Sequence, residues 1–61
     1  MTKYDTVSIS AGRDANYLLH GRCEYVIFAP NEGPILKRET GFKTKAQAQR
    51  AGIKAAQEFL A

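Results

Sequence analysis

No apolar run in this chain is longer than the five residues from Tyr25 to Ala29, and a single cysteine, Cys23, stands among 61 residues. The short run excludes a transmembrane helix, which needs roughly 20 apolar residues, and offers no segment suited to a cleaved signal. A lone thiol closes no intrachain disulfide. The chain is therefore not a stapled secreted miniprotein, and a reducing cytoplasm is the expected compartment. Histidine also occurs once, at His20. One histidine and one cysteine do not complete a four-ligand zinc site without a second chain, so no metal is expected. On a strand, positions 20 and 23 point to opposite faces, which argues against a base and nucleophile pair. The five glycines match neither a dinucleotide-binding fingerprint nor a phosphate-binding P-loop. The carboxylates lack the paired spacing of acid–base work, and no catalytic residue or cofactor is expected. The chain reads as a non-enzyme.

What is present is the material of one small domain, residues 1–61. The hydrophobic fraction of 44% is ordinary for a globular protein and argues against disorder throughout. A chain this short hides only about 60% of the surface its unfolded form exposes, so its core is thin. Tyr4 to Ser10 alternates, with Val7 and Ile9 on one face, and predicts a half-buried strand ended by the turn formers Ala11 to Asn16. Tyr17 to Gly21 reads as a short strand hairpinned at Gly21; the alternative is a one-turn helix over Ala15 to His20, capped by Asp14 and stopped by Gly21. Arg22 to Ala29 is apolar on both faces and predicts a covered or central strand. Pro30 to Pro34 ends it. Ile35 to Thr40 is a polar edge strand ending at Gly41, its lysine discouraging further pairing.

The last element is a helix opened by the capping box Thr44-Lys45-Ala46-Gln47. Ala48, Ala51, Gly52, Ala55, Ala56, Phe59 and Leu60 form its apolar stripe. Gly52 costs about 1 kcal/mol within a helix relative to alanine, an expense that close approach of the helix to a sheet would offset. The expected fold is α+β: three or four antiparallel strands with one face covered by the C-terminal helix.

Charge is concentrated. Lys37, Arg38, Lys43 and Lys45 face only Glu39 within nine residues, whereas the other cations and carboxylates balance, so this segment carries the whole net charge of +3. A basic cluster draws in polyanions. Lys43 and Lys45 also oppose the dipole at the start of the helix, where free amides attract anions. Phosphate bound there would reconcile lysines, amides and dipole, with Thr44 at the helix mouth. The other reading is an ordinary solvated surface.

The run Glu39-Thr40-Gly41-Phe42-Lys43-Thr44-Lys45-Ala46-Gln47-Ala48 resembles the end of the small N-terminal arm-binding domain of phage-type tyrosine integrases. That resemblance implies three antiparallel strands before the helix, a sheet in the DNA major groove, phosphate roles for Lys43 and Lys45, and groove-facing roles for Lys37 and Arg38. The same run is similar, more weakly, to the C-terminal half of a double-stranded RNA-binding domain, which would again use Lys43 and Lys45.

Two functions are therefore expected as alternatives. The first is a small nucleic-acid-binding module, DNA before RNA, using Lys37, Arg38, Lys43, Thr44 and Lys45. The second is a small phage or mobile-element protein that binds and inhibits a host protein complex, with Tyr4, Arg13, Tyr17, Arg22 and Tyr25 as interface anchors, because Tyr and Arg are favoured there. No membrane partner is expected. The thin core also admits a homodimer through an exposed strand edge or an aromatic patch.

Overall fold

Alternating and β-branched segments before a capped, alanine-rich one give sheet first and helix last. The computed structural model describes residues 3–61. Strand β1 (Ser8–Arg13) leads into the single turn α1 (Tyr17–His20). Strands β2 (Cys23–Phe28) and β3 (Ile35–Phe42) follow, then helix α2 (Lys45–Ala56) and a 3-10 turn over Gln57–Phe59. The strands form one antiparallel sheet in the order β1-β2-β3, with α2 packed across one face. This is the expected α+β architecture, with three strands. No helix among the described residues is long and apolar enough to cross a membrane.

The core lies between β2 and α2. Cys23, Tyr25 and Ile27 point at the helix and meet Ala48 and Ala56, with Ile9, Ala51, Phe42 and Phe59 around them. Full burial of a side chain such as Ile27 is worth about 1.5–3 kcal/mol, so these few residues carry much of the stability. A Cβ placed on Gly52 would lie 3.0 Å from Ile9 Cγ2 and 3.1 Å from Tyr25 Cβ. The missing side chain is what lets the helix backbone settle on the sheet, as the stripe implied. The capping box also forms: Thr44 Oγ1 accepts from the Gln47 amide at 3.1 Å, and Gln47 Oε1 accepts from the Lys43 amide at 3.3 Å.

Four boundaries differ from those expected, the first being that α2 ends at Ala56, which leaves Phe59 in the 3-10 turn and Leu60 in a bridge with Tyr4. β1 begins at Ser8 and runs through Ala11-Gly12-Arg13, which pair with Tyr25, Glu24 and Cys23. Small turn-forming residues stay extended here because β2 offers partners along their whole length. Tyr4 lies outside the strand and bridges the other terminus instead, its amide donating to the Phe59 carbonyl at 2.7 Å. Tyr17 to Gly21 is not a strand. It is the helical alternative in shortened form, with Asn16 rather than Asp14 at its N-cap, and it is closed by Gly21 at φ 65°. β3 does not stop before Gly41; at φ 101° that glycine is the extra residue of a bulge between the pairs Cys23–Phe42 and Glu24–Thr40. The bulge carries the edge strand into the mouth of α2.

Candidate recognition surface

The predicted basic segment does not form one patch. Lys37 and Arg38 are neighbours on a strand, so their side chains leave opposite faces of the sheet. Each meets a carboxylate. Lys37 Nζ lies 3.9 Å from Glu58 Oε2 on the helix side, with Lys37 half-buried and Glu58 exposed. Arg38 crosses the open face of the sheet, and its Nε and Nη2 donate to Glu24 Oε1 at 3.0 and 2.7 Å. This contact raises the Arg38 pKa further, first through the hydrogen bond and then through the charge of Glu24. These two cations are engaged with the protein itself.

The other half of the segment gathers where the end of β1, the turn α1 and the start of α2 meet. Lys43, Thr44 and Lys45 line a shallow depression together with Gly12, Arg13, Tyr17 and Cys23. Arg13 stacks over the Tyr17 ring, its guanidinium carbon 4.5 Å from the centroid. Such a stack holds the ring in place while leaving the guanidinium donors outward. Among the described residues, Arg13, Arg22, Lys43 and Lys45 have no carboxylate within salt-bridge distance. Two predicted anchors of a protein interface, Arg13 and Tyr17, thus share one surface with three predicted nucleic-acid contacts, Lys43, Thr44 and Lys45.

Beside them α1 presents Leu18 and Leu19, which are 97% and 85% exposed. Their exposure has a local cause. A four-residue helix sends successive side chains in different directions, and only Tyr17 packs inward, against the edge of the core. The turn is pinned by Asp14, which is buried: its carbonyl accepts from the Tyr17 amide at 3.0 Å and its Oδ1 from the Asn16 amide at 2.5 Å. The Thr40 hydroxyl donates to Asp14 Oδ2, tying the turn to β3. These bonds hold the Asp14 carboxyl below its ordinary pKa, the Thr40 bond most and the Asn16 amide next, with smaller help from His20 and Arg38. His20 Nε2 approaches Asp14 Oδ1 at 3.5 Å, while Nδ1 accepts from the Arg22 amide at 3.0 Å. The leucines therefore sit on a fixed platform.

Two other predicted residues fall elsewhere. Tyr25 is 1% exposed, with its ring 5.6 Å from Phe42 and its hydroxyl donating to Glu39 Oε2 at 3.0 Å, so it offers no surface to a partner. Burial, followed by the Glu39 contact, pushes its pKa up to about 12. Tyr4 is half-buried and bridges Leu60, and it does not line the depression beside α1. Cys23 is buried in the core and His20 stands on α1, so the two do not form a reactive pair.

Sequence reasoning missed Leu18 and Leu19 as surface residues. A signal existed: with Asp14 ahead and the glycine stop behind, a one-turn helix leaves two consecutive leucines unable to share one buried face. No family model, curated protein or solved structure matches this chain.

Proposed function

We propose that this chain is a non-catalytic protein-recognition module whose contact surface is the end bearing α1 and the mouth of α2. The single observation that carries this reading is the pair of almost fully exposed leucines on a pinned turn. Isolated exposed apolar residues are common, but two adjacent leucines held rigidly outward lose little conformational freedom on binding. Arg13, Arg22, Lys43 and Lys45 lie on or next to the elements that surround them. The partner that fits is a protein surface with an apolar cleft and a carboxylate rim. The inhibitor of a host protein complex belongs to this class.

Nucleic-acid binding is the second reading, favoured by Lys43, Lys45 and Arg13 beside the free amides of α2. A major-groove role in the manner of an integrase arm-binding domain draws less support, because it needs Lys37 and Arg38 on a common surface. What remains is a backbone contact of three or four cations, whose affinity would fall steeply with salt.

Paired variants separate the two. The chain is used to capture proteins from nuclease-treated lysate of the cells that express it, and is titrated with duplex DNA and duplex RNA at low and high salt. The protein-recognition reading expects a retained protein that is lost with Leu18→Ser plus Leu19→Ser and weakened by Lys43→Glu plus Lys45→Glu. It is overturned if the leucine variant retains the same proteins while the lysine variant alone loses a salt-sensitive duplex complex.

A further inference from the structure

We propose that the free edge of β1 pairs with β1 of a second copy of this chain, antiparallel about a twofold axis through Ser10, giving a continuous six-stranded sheet. β1 is an outer strand of the sheet, and its outward backbone groups have no partner among the described residues. The Asp14 amide donates to the Arg22 carbonyl at 3.2 Å, which places that pair in the hydrogen-bonded class of the antiparallel ladder. Hydrogen-bonded and non-hydrogen-bonded pairs alternate. Ser8, Ser10 and Gly12 therefore direct their amides and carbonyls at β2, while Ile9, Ala11 and Arg13 direct theirs outward.

The two edges of the sheet are treated differently. β3 carries Lys37, Arg38 and Glu39 in sequence and is bent by irregularities near both ends, devices that discourage strand addition. β1 has none of them between Ser8 and Gly12: no charge, no proline and an unbroken register with β2. Such a segment selects no charged peptide, and it matches itself. With the axis at Ser10, the outward-bonding pairs are Ile9 with Ala11 of the second copy and the reciprocal pair, a large residue against a small one each time. Ser10 meets Ser10 of the second copy on the open face, and Ser8 meets Gly12.

The helix side fits the same arrangement. A groove between the β1 edge and α2 is lined by Ile9, Ser10, Ala11, Lys45, Gln49 and Ile53, and Ile53 is 48% exposed. Ile9 of the second copy, lying beside Ala11, enters this groove. The surface is distinct from the exposed leucines of α1, so the pairing stands or falls independently of the partner proposed above.

Sedimentation of the full chain over a wide concentration range, with three variants, tests the pairing. The wild type is expected to shift from monomer to dimer with concentration. Ser10→Lys, on the exposed face, places like charges opposite each other and is expected to remain monomeric with an unchanged thermal melt. Under mild oxidation Ser10→Cys is expected to cross-link between copies much faster than Ser8→Cys, because only position 10 faces itself. A wild type that stays monomeric throughout, or a dimer that survives Ser10→Lys, overturns the proposal. Equal cross-linking at positions 8 and 10 overturns the register, and with it the assigned axis; if Ser10→Lys melts early, the cross-linking rates decide.

Discussion

At the residue scale, the molecule is governed by side chains whose surroundings are set by long-range pairing. Tyr25 is the clearest instance. In sequence it is one aromatic among several on a strand apolar on both faces, and its exposure is not legible there. In the fold it fills the space under Gly52 and reaches Glu39 across the β2–β3 ladder. Its ionised form is disfavoured in the folded state, so its pKa stands at about 12 against an ordinary 10.0. The sign follows from linkage. Below pH 10 both folded and unfolded chains hold the proton and the stability is complete; above it the unfolded chain ionises first, and stability falls between pH 10 and about 12. Urea unfolding at a series of alkaline pH values should show that loss in the wild type and much less of it in Tyr25→Phe. At pH 7 the variant should lose only about 1 kcal/mol, the usual net worth of one hydrogen bond, since the exposed Glu39 recovers water.

Asp14 gives the opposite dependence. Its carboxyl is held below its ordinary value of 3.8, so the stability it contributes is present above that pH and disappears as pH falls through the lower, folded-state value. Asp14→Ala is expected to be less stable than the wild type at neutral pH, with the difference narrowing in acid. An unchanged difference across an acid titration of the unfolding free energy would contradict the role assigned to this carboxylate.

At the scale of elements, what could be read from the sequence was what is local. Helix α2 announces itself through Thr44, Gln47 and a stripe at helical spacing; the cap bonds form and Ala48, Gly52 and Ala56 are buried against the sheet, while Phe59 and Leu60 fall beyond the helix end. β2 is central because Tyr25-Val26-Ile27-Phe28 is apolar on both faces. The elements that were misread depend on partners remote in sequence. Ala11-Gly12-Arg13 has the composition of a turn and becomes strand only because β2 lies alongside. Tyr17-Leu18-Leu19-His20 has the composition of a strand and becomes a helical turn because Asp14, bonded to Thr40, holds the Asn16 and Tyr17 amides at its entry and Gly21 ends it. The basic segment looked like a unit in one dimension and is divided by the strand that carries it.

The fit between α2 and the sheet gives the prediction that belongs to this scale. Gly52→Ala gains up to about 1 kcal/mol of helix propensity. It also drives a methyl against Ile9 and Tyr25 at 3.0 and 3.1 Å, where Tyr25 has no room to withdraw. Overpacking of this kind costs about 1–3 kcal/mol, so the net change should be destabilising by about 1 kcal/mol. A thermal melt at or above that of the wild type would show that the helix can lift away, and that the contact is looser than its distances imply.

For the molecule as a whole, shape and size set what its surface must do. The Cα radius of gyration is 11.8 Å and the extents are 36 × 19 × 16 Å. A compact chain of this length would have a radius near 10.5 Å. An elongated body with a single helix on one sheet face leaves much of its surface in water, including the bare edge of β1 and the leucines of α1. The architecture was legible from the order of patterns. The binding end was not, because it is assembled from the end of β1, the turn α1 and the mouth of α2, which only the antiparallel register brings together.

The central claim is that this end is where the chain meets its partner. Amide NMR of the isotope-labelled chain, before and after addition of the protein it retains, tests it most directly. The account predicts that signals from Arg13, Leu18 to Arg22 and Lys43 to Lys45 shift or broaden, while those of Arg38, Arg50 and Lys54 stay in place. Perturbation centred on the open sheet face around Val26 and Arg38, with α1 unmoved, would contradict it.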